Sequence, residues 1–327
     1  MRKIESQPNL PSKMPGEKLK LVKIDSALVA ANEENYNSNF HTEAEAPGEF
    51  IPTEVPQSFE RWLPLIVRSQ NIPLERVQTI TLTNAQAQLI IDASRSSLHT
   101  RELSRIYAEE LEELASLFQS LLFPAQGLFL RLDACSPKDG VRGVSPLKTT
   151  KDIVLRLTTS HRATNSILRC MERGEEVYLF FLPFDEHMRT EKEYRVFCAP
   201  PDGRVTCISQ YRWHKPNLFA AHSEDDIAAI MEDIKKAALA YHNEILVGLN
   251  IGRDGEMDRL LLEQGFTFDI MFDEGSGECK LIELNSFGAR SGCGSCLFHW
   301  LADWDVLYGK TKAEGAEANE IELRITT

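Results

Sequence analysis

Two pairs of apolar strands in the second half of the sequence, each closed by a turn, constrain the fold most. The first pair, YRVFCA and RVTCISQYRW, flanks Pro200-Pro201-Asp202-Gly203, and the second, FTFDIMFDE and CKLIELNSF, flanks Gly275-Ser276-Gly277. Proline, aspartate and glycine between two strand-like runs are typical of a β-hairpin, because these residues adopt the backbone angles of a tight turn. The chain is therefore predicted to contain an antiparallel sheet.

Helices are predicted alongside these hairpins. LSRIYAEELEELASLFQSLL spaces its apolar residues three and four apart, and SEDDIAAIMEDIKKAALAYH begins at Ser223, a predicted N-cap with acidic residues after it. A helix is also expected over SFERWLPLIVRSQ, and Pro64 restricts it to a short or kinked one. GLFLRLDA and EVYLFFLPF predict strands, and VQTITLTNAQAQLIIDA predicts a strand that runs into a helix. The mixture predicts an α+β fold.

The composition predicts three regions along the chain. Residues 1–55 are rich in Asn, Glu, Pro and Ser, which predicts an irregular or mobile lead-in. Residues 56–308 contain the predicted strands and helices and form the expected folded domain. Residues 309–327 are charged and are expected to fray as a C-terminal tail.

Charge and hydropathy narrow the classes of partner. The net charge of -13 argues against a nucleic acid partner, since capture of a phosphate backbone needs a concentrated basic surface. The sequence has no apolar run long enough for a membrane span and no signal-peptide pattern at its start. The seven cysteines have no regular spacing, which is more consistent with reduced thiols than with a disulfide framework. We expect a cytoplasmic, monomeric protein that binds neither membrane nor nucleic acid.

Three oxygen-bearing side chains interrupt the apolar strands of the second hairpin. A turn centred on Gly275 to Gly277 places Asp269 opposite Glu283, and Asn285 shares a face with Glu283 because alternate residues of a strand point to one side. Opposed carboxylates repel each other, and a hard cation such as Mg2+ relieves the repulsion. We predict that these three residues bind Mg2+. The alternative is that one carboxylate pairs with Arg or Lys while the other faces solvent.

A cation held by three side chains keeps positions for phosphate oxygens, so phosphate-binding groups are expected elsewhere. FLRLDACSPKDG supplies candidates at a strand end and the following loop: Arg131, Ser136, Lys138 and Asp139. Arg195 lies inside an apolar strand, where a guanidinium needs an anion. That anion is either a nucleotide phosphate or a structural carboxylate such as Glu193, and the pattern leaves both open.

Cys293-Gly-Ser-Cys296 is a single CxxC pair with His299 nearby. Without a second pair it is weak evidence for zinc or redox chemistry, and a glycine-containing loop with incidental thiols is the favoured interpretation.

The same stretches resemble the cell division cycle protein 123 family, whose members have an ATP-grasp fold. The resemblance covers Ser58 to Trp304 in the family's order. It rests on these segments: SFERWLPLIVRSQ, TITLTNAQAQLI, FLRLDACSPKDG, EYRVFCAPPDGRVTCISQYRW, FTFDIMFDE, LIELNSFG and SCLFHW.

The resemblance implies two α+β subdomains with mainly antiparallel sheets that clamp ATP and Mg2+. It implies a hinge strand within Val177 to Phe181 whose backbone, at Tyr178, Leu179 and Phe180, binds the adenine. The resemblance further implies that Arg131 reaches the phosphates and that Arg195 matches the family's arginine in the strand before the hairpin turn. It also implies that Mg2+ is held by the oxygen ligands Asp269, Glu283 and Asn285.

The resemblance also implies a role as a chaperone in the assembly of eukaryotic translation initiation factor two, through binding of its gamma subunit. Three departures from the family indicate a divergent member: the family members compared have Lys where this chain has Arg131, Asp at Glu283 and Pro at Ser286. Glu remains a competent Mg2+ ligand, while Arg binds phosphate as a fork rather than as a point charge. Two alternatives are an ATP-dependent ligase that forms an acyl phosphate and a scaffold with an empty site.

Overall fold

The computed structural model describes residues 17–249, 255–310 and 320–327. The chain forms two compact units. The first comprises Met1–Thr53, Thr190–Cys279 and Asn285–Thr327, and the second comprises Glu54–Arg189 and Lys280–Leu284.

Strands and helices are numbered here in chain order. The strands are β1 (Lys18–Ile24), β2 (Gln78–Leu82), β3 (Leu128–Leu132), β4 (Val177–Pro183), β5 (Glu193–Ala199), β6 (Arg204–Gln210), β7 (Phe266–Asp273), β8 (Glu278–Ser286) and β9 (Glu320–Thr326). The helices are α1 (Ser26–Ala31), α2 (Phe59–Ser69), α3 (Asn84–Thr100), α4 (Ala108–Leu117), α5 (Thr150–Thr158), α6 (His161–Arg173), α7 (Glu224–Gly248), α8 (Glu256–Gln264) and α9 (Trp304–Leu307).

A six-stranded sheet has the order β1-β9-β6-β5-β7-β8, and all of it belongs to the first unit except Lys280–Leu284 of β8. Strand β9 runs parallel to both β1 and β6, whereas β5 is antiparallel to β6 and β7. Both predicted hairpins are therefore present, as β5-β6 and β7-β8. Helix α7 begins as predicted, since the Ser223 side chain accepts a hydrogen bond from the Asp226 backbone N–H.

The second unit contains a three-stranded antiparallel sheet in the order β2-β4-β3. One face of this sheet packs on helices α3 to α6, and their shared core includes Leu130, Leu179 and Phe181. Helices α5 and α6 were not predicted. Both bury apolar side chains four residues apart, Ile153 and Leu157 in α5 and Ala163 and Ile167 in α6, so the helical period is present in the sequence although it was not used for a prediction. The predicted α+β class with mainly antiparallel strands is confirmed.

The predictions for both chain ends need correction. The lead-in predicted for residues 1–55 contains β1, and the tail predicted for 309–327 contains β9, which lies between β1 and β6. Strand β9 buries Ile321, Leu323 and Ile325. Their alternation with charged residues in EIELRI is the period of a strand with one buried face, and the high charge of the flanking residues obscured it. Residues 1–16 of the predicted lead-in and 311–319 of the predicted tail lie outside the described residues.

Burial of β9 makes its apolar side chains contribute to stability. Ile325→Val is expected to lower the free energy of unfolding by about 1 kcal/mol, because Ile325 is 0% exposed and loses one methylene of packing. Denaturant unfolding measures this. Ile106, which is 80% exposed, provides the matched control, since Ile106→Val removes the same group from the surface and should change little. Equal, negligible effects of both variants would contradict a packed β9.

An N-terminal strap, residues 36–50, lies along the loop that follows β8 in the first unit. Its backbone N–H groups donate to carbonyl oxygens of this loop, from Asn37 to Cys296 at 2.8 Å and from His41 to Ala289 at 2.9 Å. The His41 and His299 rings lie 5.3 Å apart between centroids. The strap is therefore ordered by hydrogen bonds although it contains no regular strand.

The strap contact predicts a pH dependence. His299 Nδ1 accepts from the Leu301 and Ala302 backbone N–H groups, both at 3.2 Å, so the folded state holds this nitrogen unprotonated. Burial, and then the nearby His41, lower the pKa of His299 below its ordinary value, with Asp303 opposing them. The unfolded chain consequently takes up the proton first, and stability should fall as the pH drops below about 6.5.

Unfolding midpoints in urea at pH 7.5 and 5.5 test this dependence. His299→Asn keeps an acceptor close to the Nδ1 position but cannot titrate, so its loss of stability between the two pH values should be smaller than that of the wild type. An unchanged pH difference in the variant would assign the effect to other groups.

None of the helices in residues 17–249, 255–310 and 320–327 combines the length and apolar character that a bilayer span needs.

Candidate functional site

Arg195 and Asp269 form a buried ion pair in the first unit. They lie directly opposite each other on β5 and β7. Arg195 Nε donates to Asp269 Oδ1 at 2.8 Å and Nη2 donates to Oδ2 at 2.7 Å. Arg195 is 5% exposed and Asp269 1%. The anion that the buried guanidinium requires is therefore the Asp269 carboxylate rather than that of Glu193.

Two further contacts hold the Arg195 guanidinium. Nη1 donates to the Gly294 carbonyl oxygen at 2.6 Å, and the Tyr211 ring lies 5.0 Å from the guanidinium carbon. Burial is the largest single influence and lowers the pKa of Arg195, but the Asp269 charge, the hydrogen bonds to Asp269 and other neighbouring contributions together outweigh it, and the pKa is raised well above its ordinary value. Arg195 is therefore a fixed cation that keeps Asp269 ionised.

Asn285, near the end of β8, lies beside the same carboxylate. Its Nδ2 is 3.4 Å from Asp269 Oδ2. An ionised carboxylate has about four lone-pair sites, so a bidentate arginine leaves capacity for another partner. Asp269 and Asn285 thus bring two of the three predicted metal ligands together in the first unit.

Arg131 and Glu283 form a second ion pair, in the second unit. Arg131 Nη1 contacts Glu283 Oε2, and the guanidinium lies 4.5 Å from the centre of the Phe59 ring. Arg131 Nε is buried and has no hydrogen-bond partner among the described residues. Buried donors are nearly always satisfied, so this Nε has capacity for a ligand oxygen. Arg131 and Glu283 were predicted for different roles, and the structure pairs them.

The loop after β3 holds the other predicted phosphate-binding residues. The Asp139 carboxylate accepts from Ser160 Oγ at 2.5 Å and from the Arg162 backbone N–H at 3.2 Å, so it caps the start of α6. The Ser136 carbonyl oxygen accepts from Arg162 Nε at 3.0 Å. Lys138 is half-buried in the same loop. Asp139 therefore has a structural partner, and a phosphate contact of this loop stays a prediction.

The predicted hinge residues lie on β4, the central strand of the three-stranded sheet. Leu179 and Phe180 face partners on β2 and also on β3, whereas Tyr178 faces only Thr81 of β2. The backbone N–H and C=O groups of a central strand form hydrogen bonds with the strands on both sides. Free backbone groups for a base are therefore expected only near the ends of β4, where one neighbour is present.

The Phe59 ring is a site element that the sequence prediction missed. It lies 5.4 Å from the Phe180 ring, on the side of the sheet where Arg131 is opposite Phe180. The Asp133 carboxylate accepts from the backbone N–H of Glu60 at 2.8 Å and fixes the start of α2 against the end of β3. Only the tertiary structure brings Phe59 to Arg131, because 71 residues separate them in the sequence.

The two cysteines of the CxxC pair are buried, and neither is joined in a disulfide in the described part of the chain. Burial raises the pKa of Cys296 to about 12, which leaves almost no thiolate at neutral pH. No group of three or more His, Cys, Asp or Glu side chains placed to hold a metal occurs in the part of the chain that the structure describes.

Comparison with known proteins bears on the fold. No protein-family model and no curated protein sequence matches the chain. Among solved structures, Cdc123 from Schizosaccharomyces pombe matches with a TM-score of 0.52 and 15% identity, over 84% of this chain and 99% of that one. A C-terminally truncated form of the same protein matches with a TM-score of 0.50 and 14% identity, over 83% and 96%.

The chain has the Cdc123 fold. This fold is ATP-grasp-like, so the predicted fold class is confirmed. The resemblance deduced from the sequence is thereby confirmed at the level of the fold. At this identity the Cdc123 fold by itself carries no residue roles, and the roles of Arg131, Asp269 and Glu283 rest on their own chemistry.

Proposed function

We propose that this chain is a divergent relative of Cdc123 that binds ATP and Mg2+ and serves as a chaperone for the assembly of eukaryotic translation initiation factor two, through its gamma subunit. The environment of the Arg131 side chain is the observation that supports nucleotide binding. The buried Nε of Arg131 has no hydrogen-bond partner among the described residues, and the sequence resemblance assigns a phosphate-binding cation to this position. The partner is proposed from the resemblance alone.

The proposed roles follow from the chemistry of each side chain. Arg131 binds phosphate oxygens through its guanidinium fork. Asp269, Glu283 and Asn285 would hold Mg2+, because carboxylate and amide oxygens are the ligands this ion prefers. The ion would neutralise phosphate charge. Arg195 keeps Asp269 ionised and oriented, since both carboxylate oxygens accept its hydrogen bonds.

Thermal stabilisation of the full chain by nucleotide tests the binding. A ligand at a hundred times its Kd adds about 2.7 kcal/mol to the stability of the folded state. ATP with Mg2+ should raise the melting temperature, and ATP with EDTA should raise it less. No shift with either would indicate a scaffold without a nucleotide site.

Co-purification with isolated gamma subunit, with and without ATP and Mg2+, tests the assembly role. Binding that depends on the nucleotide is the expected result, and no binding under either condition would remove this part of the proposal. Release of ADP distinguishes the ligase class: sustained release that requires an added carboxylate and an acceptor amine would replace the chaperone proposal by an enzyme.

A further inference from the structure

The ion pair between Arg131 and Glu283 joins two side chains that are both largely buried. The Arg131 side chain is 5% exposed and the Glu283 side chain 14%. Both residues belong to the second unit, because Lys280–Leu284 of β8 is part of it. Water and salt screen the attraction between partly buried charges only weakly. Glu283 is therefore a strong partner for the proposed phosphate-binding arginine.

Glu283 is also the direct counter-ion among the acidic groups near Arg131. Asp133 lies two residues further along the chain, and its carboxylate accepts the Glu60 backbone N–H at 2.8 Å. Burial raises the pKa of Asp133, while this hydrogen bond and the Arg131 charge oppose the rise. Asp133 thus holds the start of α2, and the carboxylate in contact with the guanidinium comes from a different segment of the chain.

A carboxylate and a phosphate are alternative partners for one guanidinium, because both accept hydrogen bonds from its planar fork. Glu283 Oε2 contacts Nη1 of Arg131, while Nε has no hydrogen-bond partner among the described residues. With Glu283 in place the pair has no net charge, so an approaching phosphate is attracted little and is repelled by the carboxylate. A phosphate has to displace Glu283 to gain the full charge of Arg131.

The cost of displacing Glu283 depends on what the ligand brings with it. A free anion would leave the Glu283 carboxylate largely buried without its counter-ion, which is strongly unfavourable. A phosphate that carries a divalent cation supplies a new counter-ion, and carboxylate oxygens are ligands that Mg2+ prefers. The ion pair can therefore distinguish metal-complexed from metal-free phosphates.

We propose that Glu283 is a specificity-determining residue, which competes with phosphate for Arg131 and so admits metal-complexed triphosphates in preference to metal-free anions. This inference rests on the proposed nucleotide-binding function. Arg131 without Glu283 would attract any phosphate anion, with or without a metal ion.

Calorimetry on the full chain with ATP and with tripolyphosphate, each in Mg2+ and in EDTA, tests the inference. Tripolyphosphate has no base or ribose, so it reports on phosphate binding alone. The wild type should bind the Mg2+ complexes more tightly than the metal-free ligands. Glu283→Gln should bind the metal-free ligands about 10- to 100-fold more tightly than the wild type does, the factor by which a competing charged hydrogen bond reduces the binding-competent fraction. It should also lose the preference for Mg2+.

Two variants control for the change of charge. Glu102 is exposed and lies 3.9 Å from Arg105, so Glu102→Gln removes the same charge from the surface and should leave every affinity unchanged. The double variant Arg131→Met with Glu283→Gln should show no gain, because the competition acts through Arg131.

Thermal melting keeps the test valid for a less stable variant. Without ligand, Glu283→Gln should melt below the wild type, because Arg131 has lost its counter-ion. Metal-free tripolyphosphate should then raise its melting temperature more than that of the wild type. Glu283→Ala, which removes the carboxylate altogether, should respond in the same way.

The outcomes distinguish this inference from the proposed function. A wild type that binds ATP with Mg2+, with Glu283 variants that gain no affinity for metal-free tripolyphosphate, would overturn the role of Glu283 and leave the nucleotide site intact. A gain that persists in the double variant would overturn it as well, since another cation would then be involved. Failure of the wild type and the variants to bind either ligand would overturn both proposals. Variants that bind tripolyphosphate in a chain that does not bind ATP would support the competition and overturn the nucleotide proposal.

Discussion

Replacing Arg195 by methionine is expected to lower the free energy of unfolding by about 3–5 kcal/mol, because it leaves the Asp269 carboxylate buried without its cation. The buried pair makes two hydrogen bonds, so the loss should exceed that of an ordinary side-chain truncation. Denaturant unfolding of the full chain, followed by circular dichroism, measures the change.

Two variants control for the loss of an arginine as such. Arg212 is exposed and 3.7 Å from Glu191, so Arg212→Met should cost less than about 1 kcal/mol. The double variant Arg195→Met with Asp269→Leu removes both charges and should recover much of the lost stability. A single variant as stable as the wild type would mean that the pair contributes nothing to the fold.

Arg131→Met is expected to weaken ATP binding by about 10- to 100-fold, because each hydrogen bond to a charged group contributes about 1.5–3 kcal/mol. Arg131→Lys should retain most of the affinity, since a lysine also binds phosphate as a point charge. Calorimetric titration with ATP and Mg2+ gives the affinities, and circular dichroism shows whether each variant is folded.

Adenosine serves as the internal control for Arg131. It lacks phosphates, so its affinity should be the same for the wild type and for folded Arg131→Met. Equal losses for adenosine and ATP would place Arg131 at the base or in the framework of the site rather than at the phosphates.

The hairpins were predictable because their signal is local. A turn such as Pro200-Pro201-Asp202-Gly203 and the flanking apolar runs specify strand pairing within about twenty residues. The start of α7 at Ser223 was predictable for the same reason, since a cap acts over one turn of helix. Strand β9 was misread because its parallel partners, β1 and β6, are distant in the sequence and its flanking residues are charged.

The candidate site was also predictable only in part. The sequence alone required a counter-ion for the buried Arg195 and supplied the oxygen-bearing residues Asp269 and Asn285, because the cost of an isolated buried charge does not depend on the fold. Only the tertiary structure decided which carboxylate pairs with Arg195 and that the Phe59 ring covers Arg131. Those contacts join segments far apart in the chain, and strand register and helix placement, rather than local preference, select such partners.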